Sequence, residues 1–95
     1  SFIKSIGAPS LVPQIWPVAR DLIDGAIAVS PGEVCDAIRL LFKKAKVVAE
    51  GAGAASLAAA TARPDIKGNI VCVISGGNID TEAYLTVLGG GIPSA

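Results

Sequence analysis

The sequence predicts an α/β fold, in which a partial parallel sheet is flanked by helices. Residues 26–29 and 70–74 are short apolar stretches with the composition of strands, and the second is rich in β-branched side chains. Helical patterns lie before, between and after them, an alternation typical of parallel sheets covered by helices. So few strands do not make a stable covered sheet. Residues 1–95 are therefore predicted to form a single, incomplete α/β segment.

Composition limits the function before any motif is considered. The 95 residues are 52% hydrophobic but only 4% aromatic, which favours closely packed aliphatic layers. Eight basic and eight acidic side chains balance to a net charge of zero, so no basic surface for nucleic acid or an anionic membrane is predicted. The absence of histidine from the sequence removes the commonest metal ligand, and no metal site is predicted.

Cysteine usage and the chain's apolar runs indicate a cytoplasmic protein. Cys35 and Cys72 are too few and too far apart for a disulfide framework or a zinc site, and they fit small buried side chains in a reducing compartment. Neither a signal peptide nor a membrane span is predicted. Because the sequence contains no methionine, even at position 1, we expect a processed product or a fragment of a longer protein.

The first two helices are predicted from spacing and capping signals. Apolar residues recur at helical intervals over residues 12–23, but Pro17 should interrupt them, so the expected helix covers residues 17–24. Ser30 and Glu33 form a capping-box pattern around Pro31, which starts a second helix. Its predicted apolar face comprises Val34, Ile38, Leu41, Phe42, Ala45 and Val48.

The third and fourth helices follow from composition and from a further cap. Residues 51–62 are mostly alanine, the best helix former, and offer no bulky face, so this helix should lie buried between layers. Asp80 is expected to cap a last helix over residues 81–88, which the glycines at 89–91 end.

Two segments qualify as ligand sites, because ligands of open α/β sheets collect beyond the carboxyl ends of strands. Ser75 and Gly76 directly follow the second predicted strand, where a hydroxyl and a bare backbone could meet a ligand. An ordinary turn is the alternative. The second segment, residues 50–56, resembles a dinucleotide fingerprint, but Ser56 replaces its third glycine and the later acidic residue is missing, which argues against nucleotide binding.

Two ionisable side chains remain candidates for a role at such a site. A carboxylate at Glu50, between apolar segments, is costly unless something pairs with it; a helix N-terminus that stabilises it is the alternative. Without histidine to activate a serine or cysteine, Lys4 is the one lysine outside the solvated helix end and turn.

Four segments together resemble one enzyme family. Residues 48–55, VAEGAGAA, and 71–80, VCVISGGNID, are accompanied by residues 5–9, SIGAP, and 16–24, WPVARDLID. In this order they resemble the C-terminal part of threonine dehydratases and serine racemases, pyridoxal-phosphate enzymes of fold type II. The resemblance covers nearly the whole chain and implies that the fold is a segment of the fold-type II fold.

The resemblance implies the cofactor, pyridoxal 5'-phosphate, and four residues that contact it. By that likeness Ser75 would hydrogen-bond the pyridine nitrogen, and Gly76 would let the ring edge approach. Glu50 would lie in the cofactor pocket and Gly7 against the ring. No catalytic residue is assigned, since the family's cofactor-binding lysine, its phosphate loop and the metal ligands of some members have no counterpart here.

The implied function is that of one portion of a threonine or serine ammonia-lyase, which converts a hydroxy amino acid to a 2-oxo acid and ammonia. The chain alone should be inactive. Its expected partner is the missing N-terminal part or a second copy of itself, with the amino-acid substrate bound by the whole enzyme. The alternative is a non-catalytic truncated module that binds a small ligand or self-associates.

Overall fold

A computed structural model describes residues 1–4 and 6–94. Ser5, which lies in one of the segments that carry the family resemblance, and Ala95 lie outside the described residues. The elements are α1 (Trp16–Ala19), α2 (Pro31–Leu40), a π-helical turn (Leu41–Ala45), α3 (Gly51–Ala62) and α4 (Thr81–Leu88). Within the described ranges no helix is long and apolar enough to cross a membrane.

The predicted partial parallel sheet is wrong, because the described residues contain no strand. Residues 26–29 and 70–74 are not helical, but no backbone hydrogen bond joins these two described segments. A strand exists only where its N–H and C=O groups pair with a neighbouring strand. Apolar, β-branched composition favours an extended backbone but does not supply that neighbour.

Residues 70–74 also lack the two-sided cover that their composition predicts. Cys72 and Ile74 are half-buried, whereas Val71 and Val73 are 89% and 70% exposed. The alternation shows that one face of the segment packs on the protein and the other faces solvent. Its covered face lies against α3, to which two side-chain contacts join it.

The core forms where α2 packs against α3 and α4. Ile38 and Val34 are its largest fully buried side chains, and Val87 joins them from α4. Ala54 and Ala58 supply small buried surfaces on α3, which let the helix axes approach closely. The alanine-rich helix thus lies between α2 and residues 70–76, as its lack of a bulky face predicts.

The predicted start of α2 is confirmed in detail. The Ser30 hydroxyl accepts a hydrogen bond from the Glu33 N–H at 3.2 Å, and the Glu33 carboxylate accepts one from the Ser30 N–H at 2.7 Å. Pro31 occupies the first helical position, where its missing N–H costs nothing. This capping box fixes the register of α2 and therefore which of its side chains enter the core.

The predicted apolar face continues only to Leu41, which is half-buried and packs against the core. The π-helical turn Leu41–Ala45 follows, and Lys46 adopts a left-handed conformation with φ of 57°. Because a π-helical turn winds more residues per turn than an α-helix, it rotates the later side chains out of line. Phe42 and Val48 are consequently exposed at 37% and 48%. The Phe42 ring still packs edge-on against the Tyr84 ring, with 6.0 Å between the ring centroids.

The other helices differ in how well they match the prediction. α1 covers only Trp16–Ala19 instead of residues 17–24, and none of its residues is buried. Without tertiary contacts a short helix is not stabilised beyond its first turns. α4 has the predicted bounds, and Asp80 is its N-cap residue, but the Asp80 side chain makes no capping hydrogen bond.

The two cysteines should differ in reactivity. Both are free; Cys35 is fully buried in the core and Cys72 is half-buried. Burial raises the pKa of the Cys35 thiol, although Arg39 opposes that shift. Because the thiolate is the reactive form, we expect iodoacetamide to alkylate Cys72 well before Cys35 under native conditions. Peptide mass spectrometry after timed quenching measures both rates.

The raised pKa of the Cys35 thiol makes the free energy of unfolding depend on pH. A thiol whose pKa is higher in the folded state contributes stability that is complete below the unfolded value of about 8.5 and declines as pH rises through the folded value. Urea unfolding between neutral and strongly alkaline pH should show this decline, and Cys35→Ala should reduce its slope. Equal modification rates for the two thiols, or an unchanged slope in Cys35→Ala, would contradict the burial of Cys35.

Candidate functional site

The candidate site lies where residues 75–78 meet the N-terminus of α3. The Glu50 N–H donates a hydrogen bond to the Gly76 carbonyl at 3.0 Å. Further along α3, the Ser56 hydroxyl donates to the Val73 carbonyl at 2.9 Å, and the Cys72 Sγ lies 3.7 Å from the Ser56 carbonyl oxygen. The first turns of α3 therefore hold the segment that ends at Ser75.

Glycines allow the two backbones to meet. A Cβ at Gly53 would collide with the Gly76 carbonyl oxygen and lie 2.9 Å from the Gly76 nitrogen. A Cβ at Gly77 would collide with the Val48 carbonyl oxygen on the other side. The loop of residues 75–78 is thus in backbone contact with α3 and with the residues that precede α3, at distances only glycine permits.

Ser75 is held at the surface of this junction. The residue is exposed, and no hydrogen bond from another described side chain or backbone group occupies its hydroxyl. The neighbouring Gly76 is half-buried, and its Cα faces the Glu50 carboxylate, which a Cβ there would strike. Ser75, Gly76 and Glu50 therefore lie next to one another.

Glu50 stands at the N-cap position of α3 with an extended backbone. Its side chain makes no capping hydrogen bond and is directed at Gly76 instead. A negative charge near a helix N-terminus is stabilising in general. Both interpretations of Glu50 in the sequence, a carboxylate at a helix N-terminus and a pocket residue, are compatible with this placement.

Gly7 is not brought to the same place by the contacts described. It is exposed, and no described atom lies within 4 Å of the position a Cβ would take. Lys4, by contrast, lines the same cleft as Glu50. The first loop therefore reaches the site through residues 2–4.

This cleft has a volume of about 730 Å³ and opens beside both helix N-termini. The N-terminal ends of α3 and α4 converge there, and each carries a partial positive charge. Its described part offers no group of three or more acidic, cysteine or histidine side chains able to hold a metal. The lining residues include Phe2, Lys4, Glu50, Asn78, Asp80 and Thr81.

Sequence reasoning missed the residues that support the loop. Gly53 and Ser56 were considered only as parts of an imperfect nucleotide motif, but the structure uses both to anchor residues 73–76. The sequence did contain a signal for the contact at Gly53. Glycine inside a helix costs about 1 kcal/mol relative to alanine, so Gly53 within an alanine-rich helix indicates a close backbone contact.

Comparison with known proteins decides the family. A family profile described as pyridoxal-phosphate dependent enzyme matches residues 1–76. The chain belongs to this family. The resemblance predicted from the sequence is thereby confirmed, and so is pyridoxal phosphate as the cofactor of the full enzyme.

The relatives agree with that assignment. L-threonine ammonia-lyase of Geobacter sulfurreducens is 42% identical over 82 residues, which cover 84% of this chain and 20% of the relative. The L-threonine ammonia-lyase of Thermotoga maritima is 42% identical over 81% of the chain and 20% of its own length. Human serine racemase is 34% identical over 75% of the chain and 22% of its own length.

The match is extensive for this chain and partial for its relatives. The chain spans about a fifth of the length of the curated relatives it matches. No solved structure matches it significantly.

The junction fits the ring of the expected cofactor. The Ser75 hydroxyl has no partner among the described residues, and a hydroxyl can donate to a pyridine nitrogen. Gly76 carries no side chain, and the Glu50 carboxylate occupies the space where its Cβ would lie. The contact of Ser75 and Gly76 with the cofactor stays a prediction.

Proposed function

We propose that this chain is the C-terminal segment of a pyridoxal-phosphate dependent ammonia-lyase that acts on threonine or serine. The observation that carries the proposal is the exposed Ser75 hydroxyl, at the end of a segment anchored on α3. The identity to two L-threonine ammonia-lyases supports the reaction. Residues 1–95 would form one part of the catalytic unit, and the rest would come from the remainder of the enzyme.

Ser75 would hold the ring nitrogen of the cofactor. Pyridoxal phosphate, when bound, supplies the electron-withdrawing ring that stabilises negative charge at the substrate's α-carbon. A serine hydroxyl can donate a hydrogen bond to the nitrogen without giving it a counter-charge, whereas a carboxylate would favour the protonated nitrogen. Ser75 would thus leave the ring a moderate electron acceptor, which would suffice for loss of a β-hydroxyl.

The other predicted residues would shape the pocket around the ring. Gly76 would present bare backbone to the ring edge on the side away from Glu50, because the Glu50 carboxylate fills the space where a Gly76 Cβ would lie. We propose that Gly7 approaches the ring only within the complete enzyme, because here no described atom beyond its chain neighbours lies within 4 Å of the position a Cβ would take. The substrate and the covalent attachment of the cofactor would be handled outside this chain, in a cytoplasmic enzyme whose free thiols suit a reducing compartment.

A hybrid enzyme tests the proposal. The hybrid is the L-threonine ammonia-lyase of Geobacter sulfurreducens with its matching segment replaced by this chain. We expect it to fold, to bind pyridoxal phosphate and to deaminate threonine. Ser75→Ala should weaken cofactor binding and lower kcat/KM, because the ring nitrogen loses its donor. Cofactor titration by absorbance and a coupled 2-oxo acid assay measure both.

A matched control removes a hydroxyl elsewhere. Thr61 is exposed at the far end of α3, and its hydroxyl donates only to carbonyls of the same helix. Thr61→Ala should leave cofactor binding and activity unchanged. A hybrid that does not fold or bind the cofactor, or one in which Ser75→Ala behaves like Thr61→Ala, would overturn the proposal.

A second candidate function is a module that self-associates. The observation in its favour is the exposed apolar face of residues 70–73, where Val71 is 89% exposed. Exposed extended segments are templates for pairing with another chain. Sedimentation equilibrium separates the two cases. A saturable dimer of the isolated chain would favour the module, and heterogeneous association would favour a segment that needs the rest of its enzyme.

A further inference from the structure

We infer that Gly53 and Ser56 are positioning residues, which fix where Ser75 lies relative to the cofactor ring. The inference rests on the proposed role of Ser75 and extends it to the helix behind the loop. Residues 53 and 56 are three apart, so they share one face of α3. That face contacts the segment before and after Ser75 at two separate points.

The two contacts lie on either side of Ser75. Two residues before it, the Val73 carbonyl accepts a hydrogen bond from the Ser56 hydroxyl at 2.9 Å. One residue after it, the Gly76 backbone rests on the Cα of Gly53. A short chain segment fixed at both ends has few conformations left, so α3 determines where the Ser75 backbone lies.

The Glu50 backbone adds a third point, since its N–H donates to the Gly76 carbonyl at 3.0 Å. A methyl group at Gly53 would push against that same carbonyl. Because α3 blocks any movement of the loop towards it, the loop would have to move away from α3, and Ser75 would move with it. Gly53→Ala should therefore act on the cofactor without touching it.

The hybrid enzyme tests this through a double-mutant cycle between positions 53 and 75. The readouts are the dissociation constant of pyridoxal phosphate and the absorption spectrum of the bound cofactor. We expect Gly53→Ala to raise the dissociation constant by about three- to tenfold, the worth of one hydrogen bond, and to shift the spectrum in the direction that Ser75→Ala does. In the Ser75→Ala background, Gly53→Ala should add little, because the contact it disturbs is already gone.

Three further variants separate a positioning effect from a merely structural one. Gly32→Ala places a methyl in α2, where the nearest atoms lie at an ordinary 3.7 Å, and it should leave the spectrum unchanged. Ser56→Ala should shift the spectrum in the same direction as Gly53→Ala but by less. Ser56→Thr, which keeps the hydroxyl, should have the original spectrum. Amide hydrogen exchange at residues 74–77 should accelerate in Gly53→Ala and not in Gly32→Ala.

The outcomes separate this inference from the proposed function. If Ser75→Ala changes cofactor binding but the effects of positions 53 and 75 simply add, Gly53 is only structural and the inference fails alone. Unchanged exchange at residues 74–77 in Gly53→Ala would overturn it equally. If Ser75→Ala has no effect on the cofactor, the proposed role of Ser75 fails and the positioning role fails with it.

Discussion

Ile38→Ala should destabilise this protein by about 2–5 kcal/mol, the range for truncating a large aliphatic side chain in a core. Ile38 is the largest fully buried side chain of the core, where α2 meets α3 and α4. The fully buried hydrophobic residues of α3 are alanines, whose short side chains cannot move to fill the space. The cost should therefore fall in the upper part of that range.

The measurement is urea unfolding followed by circular dichroism at several protein concentrations. Leu22→Ala is the matched control, because it removes the same number of carbon atoms from a residue that is 77% exposed. Its effect should stay within about 0.5 kcal/mol, as for most surface substitutions. Similar losses in the two variants would show that α2 does not form the centre of the core.

Gly77→Ala should cost about 1–3 kcal/mol, the range for inserting a methyl group where there is no room. A Cβ at Gly77 would collide with the Val48 carbonyl oxygen and lie 3.3 Å from the Val48 carbonyl carbon. Those atoms belong to backbone and cannot rotate aside as a side chain would. The loop must therefore leave its place next to residues 48 and 49.

The control for this prediction changes glycine to alanine where space is available. At Gly32 in α2 the nearest atom is a flexible Ile92 side-chain carbon at 3.7 Å. Gly32→Ala should leave stability unchanged or raise it by about 0.5–1 kcal/mol through the lower entropy of the unfolded chain. Both variants are compared by thermal unfolding. A Gly77→Ala protein as stable as Gly32→Ala would contradict the close contact of the loop with residue 48.

Local signals predicted the helices better than they predicted the sheet. The capping box at Ser30 and Glu33 depends on atoms a few residues apart, so the sequence alone determines it. The extent of α3 and α4 followed in the same way from alanine content and from glycine. The π-helical turn after Leu40 leaves no comparable trace, because its side chains differ little from those of an α-helix.

The predicted sheet failed because strands depend on partners. Residues 70–74 have the side chains of a buried strand, and composition reports that preference without regard to whether a neighbouring strand is present. In the described chain the available surface is α3, which covers Cys72 and Ile74 only. Pairing with residues distant in the chain is a global property that a local apolar pattern does not specify.

The candidate site was predictable in part. Ser75, Gly76 and Glu50 were identified from motifs, and the structure brings them together. For Gly7, no described residue of the site lies within 4 Å of the position a Cβ would take. The supporting contacts of Gly53 and Ser56 became visible only when the helix and the loop were seen in space.

The most direct test of the central claim is the protonation state of the cofactor's ring nitrogen in the hybrid enzyme. Nitrogen-15 NMR of labelled pyridoxal phosphate reports it, with Ser75→Asp as the comparison. If the Ser75 hydroxyl faces the nitrogen, the original hybrid should show an unprotonated, hydrogen-bonded nitrogen, and Ser75→Asp should show a protonated one. An identical nitrogen shift in the two proteins would contradict the account, because residue 75 would then not touch the ring.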